Sequence, residues 1–437
     1  MSKDKENTKK KRNNISENPA MFHRGSKTIR IFFETSYGEL VDDIENYRSY
    51  LLKYYKLYPE AFPCGFELGF HWHDKRVIKK QKGLIIRWIK LTDGSVYEIV
   101  PSSLMPYMSG LTQEVSKGLF LRQWGVPYEA IAYLFGRNAM YWERCEESLG
   151  RLSIVGSLVK RHLVPTHLAA DEKISYWNGG EVYIGLTSSA DCVLGEELSM
   201  NRVAEPFDTE NLQEAYGVFK SEALDCQADY SPKSVNLDGW RATNQSWKNL
   251  FPTITIIVCF LHAFLKVREV AKSLKEKFYE IGDKIWEVYR KENAIEFRQE
   301  IATLLIWIQS NCTENERVKS KVQDLCSKVE KFVGAYEHPQ CYGTSNQIDR
   351  PMNMLDRYLY QMRYFKGHRK TANLKIRAWA MLYNFTPFSQ RVQKQKNKPK
   401  KSSRFEEFNE FVYHNNWLEN MLVAGSMNGF KQSHTIR

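Results

Sequence analysis

Three aspartates, far apart along the chain, are the residues whose type and setting could support chemistry. Asp171 ends the run His-Leu-Ala-Ala-Asp, Asp238 ends Ser-Val-Asn-Leu-Asp, and Asp349 lies in Ser-Asn-Gln-Ile-Asp-Arg-Pro. We expect each of them at the end of a strand or the start of a helix. Carboxylate oxygens from separate elements are the ligands that two magnesium ions need to act on the attacking and leaving oxygens of a phosphodiester. Alternatively, these aspartates only cap strand ends or turns.

The chain is basic, which favours a polyanionic partner. It has 63 Lys and Arg against 51 Asp and Glu in 437 residues, a formal charge of +12. Together with the three aspartates, this balance makes nucleic acid the natural substrate. Residues 391–404 contain no acid, and we interpret them either as a solvated linker or as a flexible arm on phosphates. Their basic residues are Arg391, Lys394, Lys396, Lys398, Lys400, Lys401 and Arg404.

Cysteine usage and hydropathy predict a soluble, cytoplasmic protein. The eight cysteines are scattered and include no Cys-x-x-Cys pair, which is typical of a reducing compartment rather than of a disulfide framework. Residues 1–26 are polar, lack an apolar signal segment and are predicted to be disordered. The longest apolar run, residues 254–261, is too short to cross a bilayer. We therefore expect no membrane partner.

The elements that must position the aspartates follow an α/β order from about residue 160. The pattern predicts strands at 163–170, 182–188 and 192–199, a helix at 210–224, then a strand at 234–237, a helix at 241–249 and a strand at 253–260. This is the element order of an RNase H-like core, in which the first and fourth strands each carry a metal-binding carboxylate. Asp171 and Asp238, 67 positions apart, fall at those places.

The third aspartate follows a long helical stretch. Residues 262–335 show apolar residues at helical spacing, and Asp349 comes 111 positions after Asp238. Ser345 or Asn346 is a candidate N-cap and Pro351 suits a first helical turn, so Asp349 is expected at a helix start. Asp356 and Glu269 are the alternatives for the third acid.

Upstream, residues 112–149 have the pattern of a helix-turn-helix. Helices are predicted at 114–123, 128–134 and 139–149, with a tight turn that contains Gly136. The residues expected to face DNA are Arg137, Asn138, Tyr141 and Arg144. An ordinary three-helix packing unit is the alternative. Nearer the N-terminus we predict a helix at 39–58 and a hairpin of strands 84–91 and 96–100.

In order along the chain, these segments resemble a DDE-type transposase of prokaryotic insertion sequences, related to Mutator-like transposases. The resemblance covers roughly residues 110–390. Leu-Ala-Ala-Asp-Glu and Val-Asn-Leu-Asp-Gly-Trp supply the first two acids. Cys259 and His262 match the family's Cys-x-x-His signature, and Thr-Ser-Asn-Gln-Ile-Asp resembles its Thr-x-Asn-x-x-Glu. The third acid is Asp349 here, where the family usually has glutamate.

The resemblance implies the fold class: an α/β, RNase H-like catalytic core interrupted by an all-α insertion, preceded by a helix-turn-helix and a small β-hairpin region. The expected divisions are a disordered basic N-terminus 1–26, a small α+β domain 27–108, a helix-turn-helix domain 109–158, a first core part 159–261, an all-α insertion 262–340, a last core part 341–390, and a basic linker with a C-terminal helix 391–437.

The resemblance also implies a function: cleavage of the ends of an insertion sequence and their joining to target DNA. Asp171, Asp238 and Asp349 would be catalytic and hold two Mg²⁺ ions, or Mn²⁺ in their place, with Cys259 and His262 next to the site. The partners would be double-stranded DNA, both terminal inverted repeats and target, bound by a homodimer or higher oligomer associated with the nucleoid. Two alternatives are a domesticated DNA-binding protein without catalysis and a structure-selective nuclease.

Basic residues interleaved with aromatic ones follow Asp349 and suit a phosphate-tracking groove. Those expected to bind DNA are Arg350, Arg357, Arg363, Lys366, Arg369 and Lys370.

Overall fold

The structure, a computed structural model, describes residues 27–34, 37–79, 83–108, 110–202, 208–311, 315–395 and 402–427. The disorder predicted for residues 1–26 lies outside these ranges, as do four lysines of the basic stretch: Lys396, Lys398, Lys400 and Lys401. The fold is mixed α/β with two separate sheets.

Nine strands are found in the described ranges. They are β1 (Thr28–Ile31), β2 (Phe70–Ile78), β3 (Leu84–Leu91), β4 (Val96–Pro101), β5 (His167–Trp177), β6 (Gly180–Ser189), β7 (Cys192–Arg202), β8 (Ser234–Leu237) and β9 (Thr255–Val258). The α-helices there are α1 (Tyr37–Asp42), α2 (Ile44–Leu57), α3 (Thr112–Gln123), α4 (Tyr128–Phe135), α5 (Ala139–Leu149), α6 (Ile154–Leu158), α7 (Asp208–Cys226), α8 (Arg241–Leu250), α9 (Phe260–Ala271), α10 (Glu276–Tyr289), α11 (Ala294–Asn311), α12 (Glu316–Cys326), α13 (Val329–Glu337), α14 (Asn346–Met362), α15 (Arg369–Phe385), α16 (Gln390–Gln395), α17 (Arg404–Asn409) and α18 (Trp417–Ala424).

The larger sheet has five strands in the order β7-β6-β5-β8-β9. Strands β5, β6 and β7 form an antiparallel meander, whereas β8 and β9 run parallel to β5. Each parallel strand therefore enters through a helix: α7 leads into β8, and α8 connects β8 to β9. The predicted order of strands and helices is confirmed.

The first strand of this sheet differs from its prediction. It was expected at residues 163–170, but β5 extends to Trp177 and Asp171 lies inside it rather than at its end. The reason is a two-residue hairpin turn at Asn178 and Gly179, both with positive φ, which lets residues 171–177 pair with β6. Pro165, which has no backbone N–H to donate, precedes the strand.

Helices cover the sheet and one of its edges. Helices α7 and α8 pack together, α7 also against β6 and β7, while α14 packs across β5 and β6. Helix α15 lies along the edge strand β7. There the Asn384 side chain accepts from the Val193 N–H at 2.9 Å and donates to the Val193 carbonyl at 2.7 Å, and Asn373 accepts from the Leu198 N–H at 3.1 Å. Edge groups that a neighbouring strand would otherwise bond are thus satisfied by side chains.

The N-terminal region builds its own four-stranded sheet, in the order β1-β4-β3-β2, over a separate aromatic-rich core. The hairpin of β3 and β4 occurs where it was predicted. The helix expected at 39–58 is divided, because the Asp43 side chain accepts the Asn46 N–H and starts a new helix there.

The three helices of residues 112–149 form as predicted, but they do not have a core of their own. Val115, Ile131 and Trp142 belong to one continuous hydrophobic cluster with the strands of the larger sheet. Glu146, fully buried on α5, accepts from Arg122 Nε of α3 at 2.9 Å and from the Tyr358 hydroxyl of α14 at 2.8 Å. This unit is therefore fixed to the α/β core.

Residues 260–337 fold into five helices, α9 to α13, around a second core that includes Phe260, Val288 and Phe332. Helix α13 returns this segment to the sheet, since a Cβ placed on Gly334 would lie 3.1 Å from Thr255 of β9. The predicted helical stretch between β9 and Asp349 is thus present as a segment with separate packing.

The C-terminal prediction was wrong in one respect. One C-terminal helix was expected within residues 391–437, but α17 ends at Asn409, where Glu410 adopts a left-handed backbone conformation with φ of 60°, and α18 starts at Trp417. Arg404, counted among the basic arm, stacks on the Tyr383 ring at 3.6 Å and donates to the Tyr383 carbonyl. This segment packs into the molecule.

Candidate active site

Asp171 lies on β5, and Asp238 lies directly after the neighbouring parallel strand β8. The last residues paired between β5 and β8 are Ala169 and Asn236, so Asp171 and Asp238 are the next pair that shares a face of the sheet. Strand β8 ends one residue before Asp238, and the turn that follows uses Gly239 with φ of +97°. The carboxylate of Asp238 accepts the Trp240 N–H at 2.7 Å, which fixes it at the start of α8.

Asp349 reaches the same region from the first turn of α14. Its backbone N–H donates to the Ser345 carbonyl at 3.1 Å, and the buried Ser345 hydroxyl lies 3.4 and 3.5 Å from its two carboxylate oxygens. Ser345 is held in turn by Cys259, whose sulfur accepts the Ser345 N–H at 3.1 Å. The Cys259 N–H donates to the Leu237 carbonyl at 2.7 Å. Cys259 thus ties the third acid to the strand end that precedes the second.

The three acids influence one another electrostatically. Burial raises the pKa of Asp171 to about 6, and the charges of Asp238 and Asp349 add to this increase. Burial also raises the pKa of Asp349 above its usual value. Carboxylates in such an arrangement are costly to ionise together, and a nearby positive charge relieves that cost.

His262 supplies a positive charge here. Its pKa is raised to about 8, first by its hydrogen bond with the Cys259 thiol and further by the charges of Cys259, Asp171 and Asp349. The pKa of Cys259 is lowered by hydrogen bonds from His262 and Ser345, although burial opposes the change. At neutral pH a protonated His262 therefore faces two of the three aspartates.

Glu172 is a residue that the sequence reasoning did not single out. It follows Asp171 and, by strand alternation, lies on the opposite face of β5, where the Thr243 hydroxyl of α8 donates to it. Burial raises the pKa of Glu172 to about 8, and Asp171 and Asp238 raise it further. The signal was available, since an acid next to a candidate ligand at the centre of a sheet must be paired or protonated.

As a donor set, Asp171, Asp238 and Asp349 suit a hard divalent cation such as Mg²⁺. Their arrangement on two adjacent strand positions and one helix start agrees with that chemistry. Within the ranges that the structure describes, however, no three His, Cys, Asp or Glu side chains form a group close enough to hold a metal ion. To share a cation, the three carboxylates would have to come closer together than they are here.

The two alternative third acids lie elsewhere. Asp356, two turns further along α14, forms an exposed ion pair with Lys173 at 2.7 Å. Glu269 is exposed on α9. Neither acts on the pKa of Asp171, whereas Asp349 does.

The basic residues after Asp349 divide into two groups. Arg350, Arg357, Arg363, Lys366 and Lys370 are exposed, and Arg350 also lies 3.6 Å from Asp191. Arg369 instead donates to the Leu198 carbonyl of β7 at 3.1 Å and pairs with Glu214, so its placement favours a structural role over the predicted DNA contact.

The helix-turn-helix candidates stand at the start of α5. Arg137 and Asn138 are exposed in the turn, and Arg144 is exposed one turn into the helix. Asn138 is the N-cap, accepting the Tyr141 N–H at 2.8 Å, so its side chain is partly used by the fold. Tyr141 is half-buried and lies under the Arg137 guanidinium at 5.5 Å. Arg137 and Arg144 thus remain the more accessible pair for phosphates.

Comparison with known proteins adds no family: no family model matches the chain, and no curated protein matches it in sequence. No helix in the described ranges is long and apolar enough to cross a membrane.

Proposed function

We propose that the chain is a DNA transposase with an RNase H-like catalytic core, which cleaves the ends of its element and joins them to target DNA by phosphoryl transfer. The observation that carries this proposal is the placement of Asp171 on β5 and of Asp238 directly after the neighbouring parallel strand β8, each two positions beyond the last residues paired between these strands, with Asp349 close enough to raise the pKa of Asp171. The strand order β7-β6-β5-β8-β9, with the acids on β5 and after β8, is the one expected of such a core.

The insertion and the upstream helices support the transposase within this class. Residues 260–337 add a helical segment with its own core between β9 and the helix that carries Asp349. A simple nuclease needs no such addition. Exposed basic residues of α5 precede Asp171 in the sequence, and exposed basic residues of α14 follow Asp349. Both groups offer contacts to DNA phosphates.

The roles of the chain's residues follow from their contacts. Asp171, Asp238 and Asp349 would hold two divalent cations, which when bound activate the attacking hydroxyl and stabilise the leaving 3′-oxygen. Trp240 fixes Asp238 through its N–H, and Ser345 and Cys259 align Asp349. His262 places a positive charge beside Asp171 and Asp349. Burial of Asp171 keeps its carboxylate poorly hydrated and so favours its interaction with a cation.

The test uses purified protein with Mg²⁺ and duplex DNA that carries the sequences flanking the gene, and measures both nicking and strand transfer. Asp171→Asn, Asp238→Asn and Asp349→Asn keep the side-chain shape but remove the charge, and each is expected to lower the rate roughly a hundredfold or more. Asp356→Asn, on the same helix as Asp349 but in an exposed ion pair, is the matched control and should retain activity.

The outcomes of this test distinguish the transposase from the two alternative functions. Nicking without joining supports the structure-selective nuclease. Specific binding of the flanking DNA with no metal-dependent nicking supports the domesticated DNA-binding protein. Activity that persists in all three Asp→Asn variants contradicts the assignment of the acids.

A further inference from the structure

An open cavity lies away from the aspartates, between the helix-turn-helix unit and the C-terminal segment. It has a volume of about 1050 Å³ and is lined by α3, the end of α4, the junction of α15 and α16, and the start of α18. Pockets that take a nucleotide-sized ligand have volumes of a few hundred to about 1,000 Å³. The cavity is therefore large enough for one or two nucleotides.

Four aromatic side chains line this cavity: Phe120, Phe135, Phe388 and Trp417. They come from four separate stretches of the chain, so their convergence is a product of the fold. Phe388 is nearly buried, whereas Phe135 is 40 % exposed. Aromatic rings at different depths offer flat surfaces on which unstacked bases can lie.

The polar lining of the cavity is basic and amidic. Lys117 and Lys394 are exposed at its border, and no acidic residue is among the described residues that line it. Amide side chains come from Gln390, Gln393 and Asn415, among others. Amides match the hydrogen-bonding edges of bases, while lysines match phosphates. An apolar peptide would make no use of this charge.

The walls of the cavity are held in place by contacts within the chain. The Phe388 N–H donates to the Ser402 carbonyl at 2.9 Å, and the Arg404 guanidinium lies 4.9 Å from the Phe388 ring. Asn416 caps α18 by accepting the Leu418 N–H at 2.9 Å, which fixes Trp417 at the helix start. A preformed site loses less entropy when a ligand binds.

One residue of the cavity lining adjoins the residues proposed to contact DNA. Phe135 ends α4, and the exposed Arg137 and Asn138 follow it in the turn before α5. Lys394, from the predicted basic stretch, also lines the cavity. Residues proposed to contact DNA and residues of the cavity therefore meet at Phe135.

We propose that this cavity binds one or two unstacked nucleotides of single-stranded DNA, with bases on the aromatic rings and phosphates on Lys117 and Lys394. The choice of DNA as the ligand rests on the proposed function, in which the chain acts on DNA. The site itself is separate from Asp171, Asp238 and Asp349. Single-stranded DNA appears wherever ends are cut or a duplex is opened.

The experiment measures binding of a fluorescent eight-nucleotide single strand to the full chain in EDTA, so that no cleavage occurs. A 2-aminopurine in the oligonucleotide reports stacking by loss of its fluorescence. Trp417→Ala is expected to weaken binding roughly 5- to 100-fold, the usual effect of removing one stacking ring, and to restore much of the 2-aminopurine signal. Lys394→Glu should weaken binding several-fold and make it less dependent on salt.

Matched controls keep the outcome interpretable. Tyr279→Ala removes an aromatic ring that is 68 % exposed on α10, and Lys277→Glu reverses a charge on the same helix; neither should change the affinity. If Trp417→Ala does not fold, Lys394→Glu and Lys117→Glu, both at exposed positions, carry the test.

Unchanged affinity in Lys394→Glu and Lys117→Glu overturns the proposal, as does displacement of the oligonucleotide by an acidic peptide at lower concentration. The proposed catalysis is tested separately, by the metal-dependent nicking and strand-transfer assay with the three Asp→Asn variants. If the parent chain cuts and joins DNA but does not bind the oligonucleotide at the cavity, the cavity proposal fails. If it binds the oligonucleotide there but does not cut DNA, the proposed catalysis fails.

Discussion

Two groups of acidic residues in this molecule have opposite environments. In the first, Asp171, Asp238 and Asp349 gather at the sheet, and the positive group that faces them is His262. In the second, Glu197 and Glu222 lie buried around Arg377, whose side chain is fully buried and contacts both. The negative charges of the glutamates are thus balanced by a fixed arginine, whereas those of the three aspartates remain open to a cation.

The two groups differ in how the charges of their carboxylates are balanced. The Arg377 guanidinium also donates to the carbonyls of Gly150 and Leu152, and Glu222 accepts the Val155 N–H at 3.0 Å. Arg377 Nε and Nη2 and the Glu222 carboxylate are thus bonded within the chain, so they tie α15 to α6 and α7. The aspartates at the sheet accept hydrogen bonds from the Trp240 N–H and the Ser345 hydroxyl, and protonation, His262 or a bound cation relieves the electrostatic cost that is left.

The largest expected effect comes from breaking the balanced group. Arg377→Ala leaves two buried glutamates without their partner and should lower the free energy of unfolding by about 3–5 kcal/mol, measured by urea denaturation. Arg298→Ala is the control, because it removes an exposed pair with Glu330 at 2.8 Å and should cost about 0.2–1 kcal/mol. Equal losses in both variants would contradict the comparison.

A cation bound by the three aspartates should stabilise the folded chain. Mg²⁺ at about a hundred times its dissociation constant stabilises the folded chain by roughly 2.7 kcal/mol if it binds only the folded state. We expect the melting temperature to rise with Mg²⁺ relative to EDTA, and this rise to disappear in Asp349→Asn. A full Mg²⁺ response in that variant places the cation elsewhere.

The smallest effect is the pH dependence of Asp171→Asn. Burial raises the pKa of Asp171 in the folded chain to about 6, above the ordinary value of 3.8, so the protonated form favours folding. That stability is complete below pH 3.8 and is lost as the pH rises through 6. Asparagine cannot ionise, so at pH 8 without metal the free energy of unfolding of the variant should be about 1–3 kcal/mol higher than that of the parent chain.

Thermal unfolding at pH 4 and pH 8 in EDTA tests this prediction. The difference between variant and parent should be small at pH 4 and large at pH 8. The same difference at both values would show that Asp171 has no raised pKa in the folded chain.

Much of the α/β core was readable from the sequence because its signals are local. β8 has the predicted bounds and α8 nearly so, since a short apolar run followed by Asp-Gly and an amphipathic helix admits few other structures. The positions of Asp238 directly after β8 and of Asp349 in the first turn of α14 also followed from such local signals.

The sequence reasoning failed where distant parts of the chain decide the outcome. The length of β5 depends on its pairing with β6, although Asn178 and Gly179 gave a hairpin signal that was not used. The attachment of α5 to the core depends on Glu146, which bonds a residue 212 positions away. Arg369 was predicted to contact DNA, yet its partners on β7 and α7 become visible only after folding.

The asparagines that α15 presents to β7 have a consequence for assembly. Because Asn384 and Asn373 occupy backbone groups of Val193 and Leu198, a strand from a second molecule finds those positions already bonded. The sheet is therefore closed to growth on this side, so copies of the chain have to associate there through helical surfaces rather than by shared β-structure.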